Sequence, residues 1–309
     1  MSKRAWVFPG QGSQTVGMLK DLAANHPLVE ETFGRASKVL GYDLWDVVQN
    51  DSGQTLGQTQ VTQPALLAAS FAMFQVLKSQ SANLPHYLAG HSLGEYSALV
   101  CAGVLSFEDG IKLVEARGQF MQQAVPEGVG AMYAIIGLDD AKVIQACEQA
   151  QDETQQIVSA VNFNSLGQIV IAGNAEAAEK AAVLCKEAGA KRALPLAVSV
   201  PSHCALMKPA ADKLAELFET IEFTPPSIGV INNVDVAIES NVQDIKSALL
   251  RQLYNPVRWT ETVQKLSALG VSQIHEIGPG KVLTGLIKRI DKSLSCDAVN
   301  NAETVSTIQ

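Results

Sequence analysis

The pentapeptide Gly90-His91-Ser92-Leu93-Gly94 constrains the fold of this chain more than any other stretch. A short apolar run over residues 87–89 precedes it and a helix-like segment over residues 95–102 follows it. This G-x-S-x-G pattern therefore lies between a predicted strand and a predicted helix. A serine on such a turn is exposed as a nucleophile, and only glycine fits two positions before and two positions after it. The alternative is a glycine-rich turn with a surface serine, but the flanking strand and helix favour a nucleophilic Ser92.

The segments around this elbow alternate between strands and helices. The sequence predicts a buried strand over residues 5–8, and a helix that opens at Gln63-Pro64 and runs to residue 77. Pro64 would then lie near the first turn, where its missing N–H costs nothing. After residue 198 the alternation returns, whereas the tail after Ser293 has no clear pattern. The prediction is an α/β fold whose main domain is hydrolase-like and contains a parallel sheet.

Residues 126–198 differ in character from the segments on either side. Their pattern predicts the order β-α-β-β-α-β, with Asp139 as the N-cap of the first helix. This is the split arrangement of a ferredoxin-like domain. We therefore expect a catalytic domain made of residues 1–127 and 199–309, with residues 128–198 as a smaller inserted domain.

Composition and charge exclude several classes of protein. Apolar residues make up 47% of the chain and charged residues 17%, which is typical of a compact globule. The net charge of −8 disfavours nucleic acid and anionic membranes as partners. The five cysteines are scattered and indicate neither a zinc site nor a disulfide framework. The apolar runs are too short for a signal peptide or a membrane span, so we expect a cytoplasmic protein without a metal.

Arg117 lies in the middle of the apolar face of the helix predicted over residues 108–123. A buried guanidinium needs an anion. One possibility is a structural salt bridge to a protein carboxylate. The other is a substrate carboxylate, which the planar fork binds in a bidentate manner, and the neighbouring serine elbow favours this second interpretation.

His203 is the best of five histidines as a base for Ser92. It is predicted at a strand end, on the side of an α/β sheet where ligands bind, and it follows the nucleophile in sequence. The side chain of His91 should point away from Ser92 and serve packing or substrate binding. No convincing acid completes a triad, because helix capping explains the aspartates between Ser92 and His203. A Ser–His dyad oriented by a backbone carbonyl is therefore an open alternative.

The loop over residues 9–14 has two glycines but lacks the third that a dinucleotide fingerprint requires. Exposed N–H groups on such a loop suit an anion or an oxyanion. Gln11 is the candidate for this role, and an ordinary turn is the alternative.

Six segments together resemble the malonyl-CoA:acyl carrier protein transacylases of dissociated fatty-acid synthesis. The resemblance covers nearly the whole chain and includes the elbow and Arg117 discussed above. The segments are Phe8-Pro9-Gly10-Gln11-Gly12-Ser13-Gln14, Gly90-His91-Ser92-Leu93-Gly94-Glu95-Tyr96, Arg117, Val200-Pro201-Ser202-His203, Gln252-Leu253-Tyr254-Asn255-Pro256 and Glu276-Ile277-Gly278-Pro279-Gly280.

This resemblance implies a role for each candidate residue. Ser92 would be acylated by malonyl-CoA, His203 would act as general base and then acid, and Arg117 would hold the malonyl carboxylate. The backbone N–H groups of Gln11 and Leu93 would form the oxyanion hole. The backbone carbonyl of Gln252 would orient His203, in place of the missing acid.

Gln11 and His91 are further candidates for substrate binding. The implied partners are malonyl-CoA and acyl carrier protein, with malonyl-CoA as a substrate and no cofactor. The carrier would dock on local basic groups, for which Lys186, Lys191, Arg192 and Lys288 are among many candidates. A thioesterase or esterase on the same elbow is the second hypothesis, and a non-catalytic scaffold is the third.

Overall fold

A computed structural model describes residues 3–80, 83–198 and 200–308. Its strands are β1 (Lys3–Phe8), β2 (Tyr87–Gly90), β3 (Gly130–Ile136), β4 (Val158–Ser165), β5 (Gln168–Asn174), β6 (Arg192–Pro195), β7 (Gly229–Ile231), β8 (Val271–Ile277) and β9 (Ser295–Val299). Its helices are α1 (Lys20–Asn25), α2 (Leu28–Leu40), α3 (Leu44–Asn50), α4 (Thr59–Gln80), α5 (Leu93–Cys101), α6 (Phe107–Ala124), α7 (Asp140–Thr154), α8 (Ala175–Glu187), α9 (Lys208–Phe218), α10 (Val242–Gln252), α11 (Trp259–Ala268), α12 (Val282–Ile290) and α13 (Ala302–Ser306).

A parallel sheet with the strand order β7-β2-β1-β8-β9 forms the centre of the larger unit. Alternate side chains of its strands enter separate clusters on the two faces. Ala5 and Val7 face a cluster that includes Trp259, whereas Trp6 and Phe8 face the cluster formed with α4 and α5. Because a parallel sheet is covered on both faces, β1 is apolar and buried on both sides from Ala5 to Phe8. The carboxyl ends of β1, β2 and β7 meet at one edge, which is where ligands bind in such sheets.

A second sheet is antiparallel, with the strand order β4-β5-β3-β6. Helices α7 and α8 pack on it around their own apolar cluster. The chain order β3-α7-β4-β5-α8-β6 is the predicted ferredoxin-like arrangement, and Asp139 caps α7 by accepting a hydrogen bond from the Ala141 N–H. The predicted α/β fold with a smaller second sheet is therefore confirmed. The predicted domain border at Ser199 lies outside the described residues.

Helix α4 begins at Thr59, four residues before the predicted start, and Pro64 lies inside it. The first turn is held by tertiary packing that the local sequence does not reveal. A Cβ atom on Gly118 of α6 would lie 2.6 Å from the Gln60 Cα, so only glycine allows this close crossing. The earlier start places Thr59 and Gln63 beside the serine elbow.

The tail after Ser293 is ordered secondary structure, contrary to the expectation of no clear pattern. Strand β9 pairs in parallel with β8, and Asn301 caps α13 through a capping box. The strand sequence Ser-Cys-Asp-Ala-Val has little intrinsic strand preference, so the ladder with β8 determines its conformation. Among the described residues, no helix combines the length and apolarity needed to cross a membrane.

Candidate active site

Ser92 lies on a strained turn between β2 and α5. Its backbone angles are φ 51° and ψ −107°, in a region that L-residues rarely occupy. A Cβ atom on Gly90 would lie 1.9 Å from the Gly94 carbonyl carbon, and one on Gly94 would lie 2.0 Å from the Phe8 carbonyl oxygen. The G-x-S-x-G pattern therefore has a steric cause here, since each glycine is crossed by neighbouring backbone.

His203 lies in a turn rather than at a strand end, so this part of the prediction was wrong. Strand β6 ends at Pro195, eight residues before His203. His203 itself has φ 65°, and its N–H donates to the Leu253 carbonyl at 3.0 Å. The tight turn nevertheless directs the imidazole toward Ser92, with 2.8 Å between His203 Nε2 and Ser92 Oγ.

The other ring nitrogen fixes the tautomer of His203. Its Nδ1 lies 2.7 Å from the backbone carbonyl oxygen of Gln252. A carbonyl only accepts hydrogen bonds, so Nδ1 carries the proton and Nε2 accepts from the Ser92 hydroxyl. Burial, and next the positive charge of Arg117, lower the pKa of His203 to about 3. The imidazole is therefore neutral at pH 7, and its Nε2 lone pair is free to accept the hydrogen bond of the Ser92 hydroxyl.

Arg117 is buried, with 2% exposure, and reaches Ser92 from α6. Its Nη1 donates to Gln63 Oε1 at 2.8 Å, and its Nη2 donates to Gln252 Oε1 at 3.0 Å and to Ser92 Oγ at 3.2 Å. None of the ion pairs among the described residues includes Arg117. Neutral amides thus hold the guanidinium in place, and its charge has no directly bound carboxylate.

Two candidate oxyanion donors flank Ser92. Gln11 follows β1, and Leu93 is the first residue of α5, where an N–H has no intrahelical acceptor. Neither N–H donates to another backbone carbonyl in the described part of the chain. The Gln11 side chain reaches Thr59, with 3.4 Å from Nε2 to Oγ1. Both residues line the same cleft as Ser92.

His91 also borders this cleft, although its side chain does not contact the Ser92 hydroxyl. Its Nε2 lies 2.8 Å from Asn164 Oδ1, and its ring lies beside Trp259 at 5.8 Å between centroids. Burial lowers the pKa of His91, so this ring too is neutral at pH 7.

The cleft lies between the two sheets and has an empty volume of about 660 Å³, part of it open to solvent. Ser92 and the buried side chains of His203 and Arg117 are among the residues that line it. Met132 and Leu196 of the smaller unit contribute to its apolar wall. The cleft therefore presents the Ser92 hydroxyl and the buried guanidinium of Arg117 side by side, which suits an acyl group that carries a carboxylate.

A family model described as "Acyl transferase domain" matches residues 5–309. The chain belongs to this acyl transferase family. The acyl transferase is 62% identical to the malonyl CoA-acyl carrier protein transacylase of Haemophilus influenzae, over 100% of this chain and 99% of that protein.

Two solved structures share its fold. An acyl carrier protein S-malonyltransferase from Vibrio cholerae is 61% identical with a TM-score of 0.97, and the match covers 100% of both chains. A malonyl-transacylase in complex with a type II PKS acyl carrier protein is also 61% identical with a TM-score of 0.97, covering 99% of this chain and 98% of that one.

Sequence reasoning missed four polar side chains that surround the elbow of the acyl transferase. The Gln252 amide bridges two charged groups, since its Oε1 accepts from Arg117 and its Nε2 donates to Glu95 Oε2 at 2.9 Å. Burial raises the pKa of Glu95 to about 7. Gln63 and Asn233 are the other two. A glutamine or asparagine at a buried position is a sequence signal for a polar role. The hydrogen-bond partners of these side chains are remote in sequence, so the signal alone does not identify them.

Proposed function

We propose that the protein transfers the malonyl group of malonyl-CoA to the phosphopantetheine thiol of acyl carrier protein, through a malonyl ester on Ser92. The observation that carries this proposal is Arg117, whose guanidinium binds no carboxylate directly and whose Nη2 lies 3.2 Å from Ser92 Oγ. A guanidinium in that place binds an acyl group that carries a free carboxylate, and it does not improve the binding of a neutral acyl group. Its product supplies the extender unit for fatty-acid synthesis.

In the first half-reaction, Ser92 Oγ attacks the thioester carbonyl and its proton passes to His203 Nε2. The C–S bond then breaks, and the CoA sulfur leaves as a thiol with the proton from His203. The N–H groups of Gln11 and Leu93 stabilise the oxyanion of the tetrahedral intermediate. Arg117 holds the malonyl carboxylate, so that the thioester carbon lies next to Ser92 Oγ.

In the second half-reaction the carrier thiol enters where CoA left. His203 Nε2 accepts the thiol proton, and the sulfur attacks the ester carbonyl. The C–O bond to Ser92 breaks, and Oγ recovers the proton from His203. The Gln252 carbonyl keeps Nδ1 protonated throughout, so Nε2 is the nitrogen that exchanges protons.

His91 and the Gln11 side chain would contribute to substrate binding as walls of the cleft. Asn164 contacts the Nε2 of His91, which fixes the orientation of the ring at the wall of the cleft. The division into residues 1–127 with 199–309 and residues 128–198 belongs to the same proposal, with the cleft between the two parts. We expect a cytoplasmic reaction with no separate cofactor, because malonyl-CoA enters as a substrate. The docking site of the carrier stays a prediction among the basic residues Lys186, Lys191, Arg192 and Lys288.

An intact-mass measurement tests the proposal. The protein is mixed with malonyl-CoA in the absence of an acceptor, beside the Ser92→Ala variant as a control. We expect a malonyl adduct on the wild type alone, and its discharge when holo acyl carrier protein is added. A transferase must keep water from this ester, so the adduct should persist until the thiol arrives.

The same measurement separates the alternatives. Free malonate that accumulates without an adduct would favour the thioesterase hypothesis. An adduct of equal yield on Ser92→Ala would exclude Ser92 as the nucleophile. The absence of both adduct and malonate would contradict enzymatic activity on malonyl-CoA.

A further inference from the structure

Asn233 follows β7 and is fully buried beside the serine elbow. Its side-chain amide makes two short hydrogen bonds to the backbone on both sides of His91. The Ser92 N–H donates to Asn233 Oδ1 at 2.8 Å, and Asn233 Nδ2 donates to the Gly90 carbonyl at 2.7 Å. We propose that Asn233 is a positioning residue that holds the nucleophile elbow in its reactive conformation.

The hydrogen-bond pattern is that of a parallel β-ladder. In such a ladder, one residue donates to the carbonyl before its partner and accepts from the N–H after it. Strand β7 pairs with β2 in this way up to Ala89 and Ile231. Beyond that point the elbow turns away, and the Asn233 amide takes the place of the next peptide group, opposite His91. The side chain thus continues the sheet by one step where the backbone of β7 no longer follows.

The elbow needs this support because its conformation is unfavourable. A non-glycine residue with φ 51° and ψ −107° has a strained backbone and persists only where its surroundings determine it. The Ser92 N–H is at a helix start and has no helical acceptor. The two hydrogen bonds to the Asn233 side chain stabilise the backbone on both sides of His91 and so help to hold this strained conformation.

Asn233 is itself fixed by groups that reach the active centre. Its backbone N–H donates to Glu95 Oε2 at 2.9 Å. Gln252 Nε2 donates to the same oxygen and also to the Ser92 carbonyl at 3.1 Å. The amide network therefore holds the residues on both sides of the nucleophile while Arg117 and His203 approach its hydroxyl.

A displaced elbow changes the reactivity of Ser92 more than it changes binding. The malonyl carboxylate is held by Arg117 on α6, which Asn233 does not contact in the described structure. A misplacement of about 1 Å at a reacting atom costs about 100-fold in rate. This inference rests on the proposed function for the identity of the acyl donor, so its test includes a reading that does not depend on malonyl-CoA.

The test uses Asn233→Leu, which has a similar shape but forms no hydrogen bond, with Asn233→Ala as a second variant. The control is Asn232→Ala, since Asn232 is the adjacent buried asparagine and its Oδ1 accepts only from the Asp235 N–H among the described groups. Rapid-quench mass spectrometry gives the rate of Ser92 malonylation. Modification of Ser92 by a phenylmethanesulfonyl fluoride, with loss of fluoride, gives its reactivity without malonyl-CoA.

We expect Asn233→Leu to lower the malonylation rate and the sulfonylation rate by about 10- to 100-fold. The KM for malonyl-CoA should stay within about twofold, and Asn232→Ala should leave both rates within about twofold. Equal rates in wild type and Asn233→Leu, an equal loss in Asn232→Ala, or a change confined to KM would each overturn the inference. If the wild type forms no malonyl adduct yet sulfonylation falls as expected, only the proposed function fails.

Hydrogen exchange on the wild-type protein tests the same contact without relying on a folded variant. An N-cap amide without a backbone acceptor ordinarily exchanges fast. Because the Ser92 N–H donates to a fully buried oxygen, we expect it to be protected to the same extent as the interior of α5. Exchange at the rate of an exposed amide would overturn the inference even if no Asn233 variant folds.

Discussion

Replacing Arg117 by alanine should change the acyl selectivity of the protein rather than its general reactivity. A hydrogen bond to a charged group contributes about 1.5–3 kcal/mol, so a bidentate pair with the malonyl carboxylate contributes about 3–6 kcal/mol. Since about 1.4 kcal/mol is a factor of ten, kcat/KM for malonyl-CoA should fall by about 10²- to 10⁴-fold. Acetyl-CoA has no carboxylate, so its transfer should change by less than about tenfold.

The assay is the ratio of malonyl to acetyl transfer to a carrier thiol, measured in one mixture. A ratio is independent of the amount of folded protein, so a loss of stability in the variant does not imitate the result. Arg117→Lys should give an intermediate ratio, because lysine keeps the charge but loses the planar fork. Arg35→Ala is the matched control, because this exposed arginine pairs with Glu108 of the same helix α6. An unchanged ratio in Arg117→Ala would refute the assignment of Arg117 to the substrate carboxylate.

Three further predictions concern buried groups around the elbow. Burial raises the pKa of Glu95 from 4.5 to about 7. Between these two pH values the folded protein keeps a proton on Glu95 that the unfolded protein has lost. The free energy of unfolding therefore falls as the pH rises from 4.5 to about 7. Glu95→Gln should remove this pH dependence. Between pH 5 and pH 8 the melting temperature of the variant should rise relative to that of the wild type, and the corresponding difference in unfolding free energy should be about 3 kcal/mol at most. The pH profile of kcat/KM is measured in the same Glu95→Gln protein, in which Glu95 no longer titrates. As the pH is lowered through 6.5, kcat/KM should not fall, because the lowered pKa of His203 keeps its imidazole neutral. A fall in kcat/KM with its midpoint at pH 6.5 would contradict this prediction. Gly94→Ala should cost at least about 2 kcal/mol in urea unfolding, because its Cβ would meet the Phe8 carbonyl, whereas Gly34→Ala in the open space of α2 should stabilise by up to about 1 kcal/mol.

The elbow and the buried arginine were predictable because both are local patterns. Gly90 is needed by the backbone of Gly94 four residues on, and the fixed G-x-S-x-G spacing marks Gly94 although its own close contact is with Phe8 of β1. The burial of Arg117 follows from helical periodicity. The order of strands and helices was predictable for the same reason, since apolar periodicity reports the local conformation.

Features that depend on distant partners were not predictable in this way. Asn233 bonds to Ser92 across 141 positions, and Gln252 bonds to Glu95 across 157 positions. No spacing rule connects such residues. Strand β9 was missed because its conformation comes from β8, and the start of α4 was missed because the close crossing at Gly118 determines it. In each case tertiary contact outweighs local preference.

A neutral carbonyl, rather than a carboxylate, orients His203, and the position of Arg117 gives a physical reason. Gln252 contacts both His203 and Arg117 through uncharged oxygens. Its backbone oxygen accepts from His203 Nδ1, and its side-chain oxygen accepts from Arg117 Nη2. A carboxylate in either place would give the guanidinium a permanent partner and weaken its attraction to a substrate anion. The carboxyl group of Glu95 is kept one amide away from Arg117, and burial brings its pKa near 7, which reduces its charge at neutral pH. Gln252, whose backbone carbonyl stands in place of the missing acid, therefore leaves the charge of Arg117 available for the proposed malonyl carboxylate.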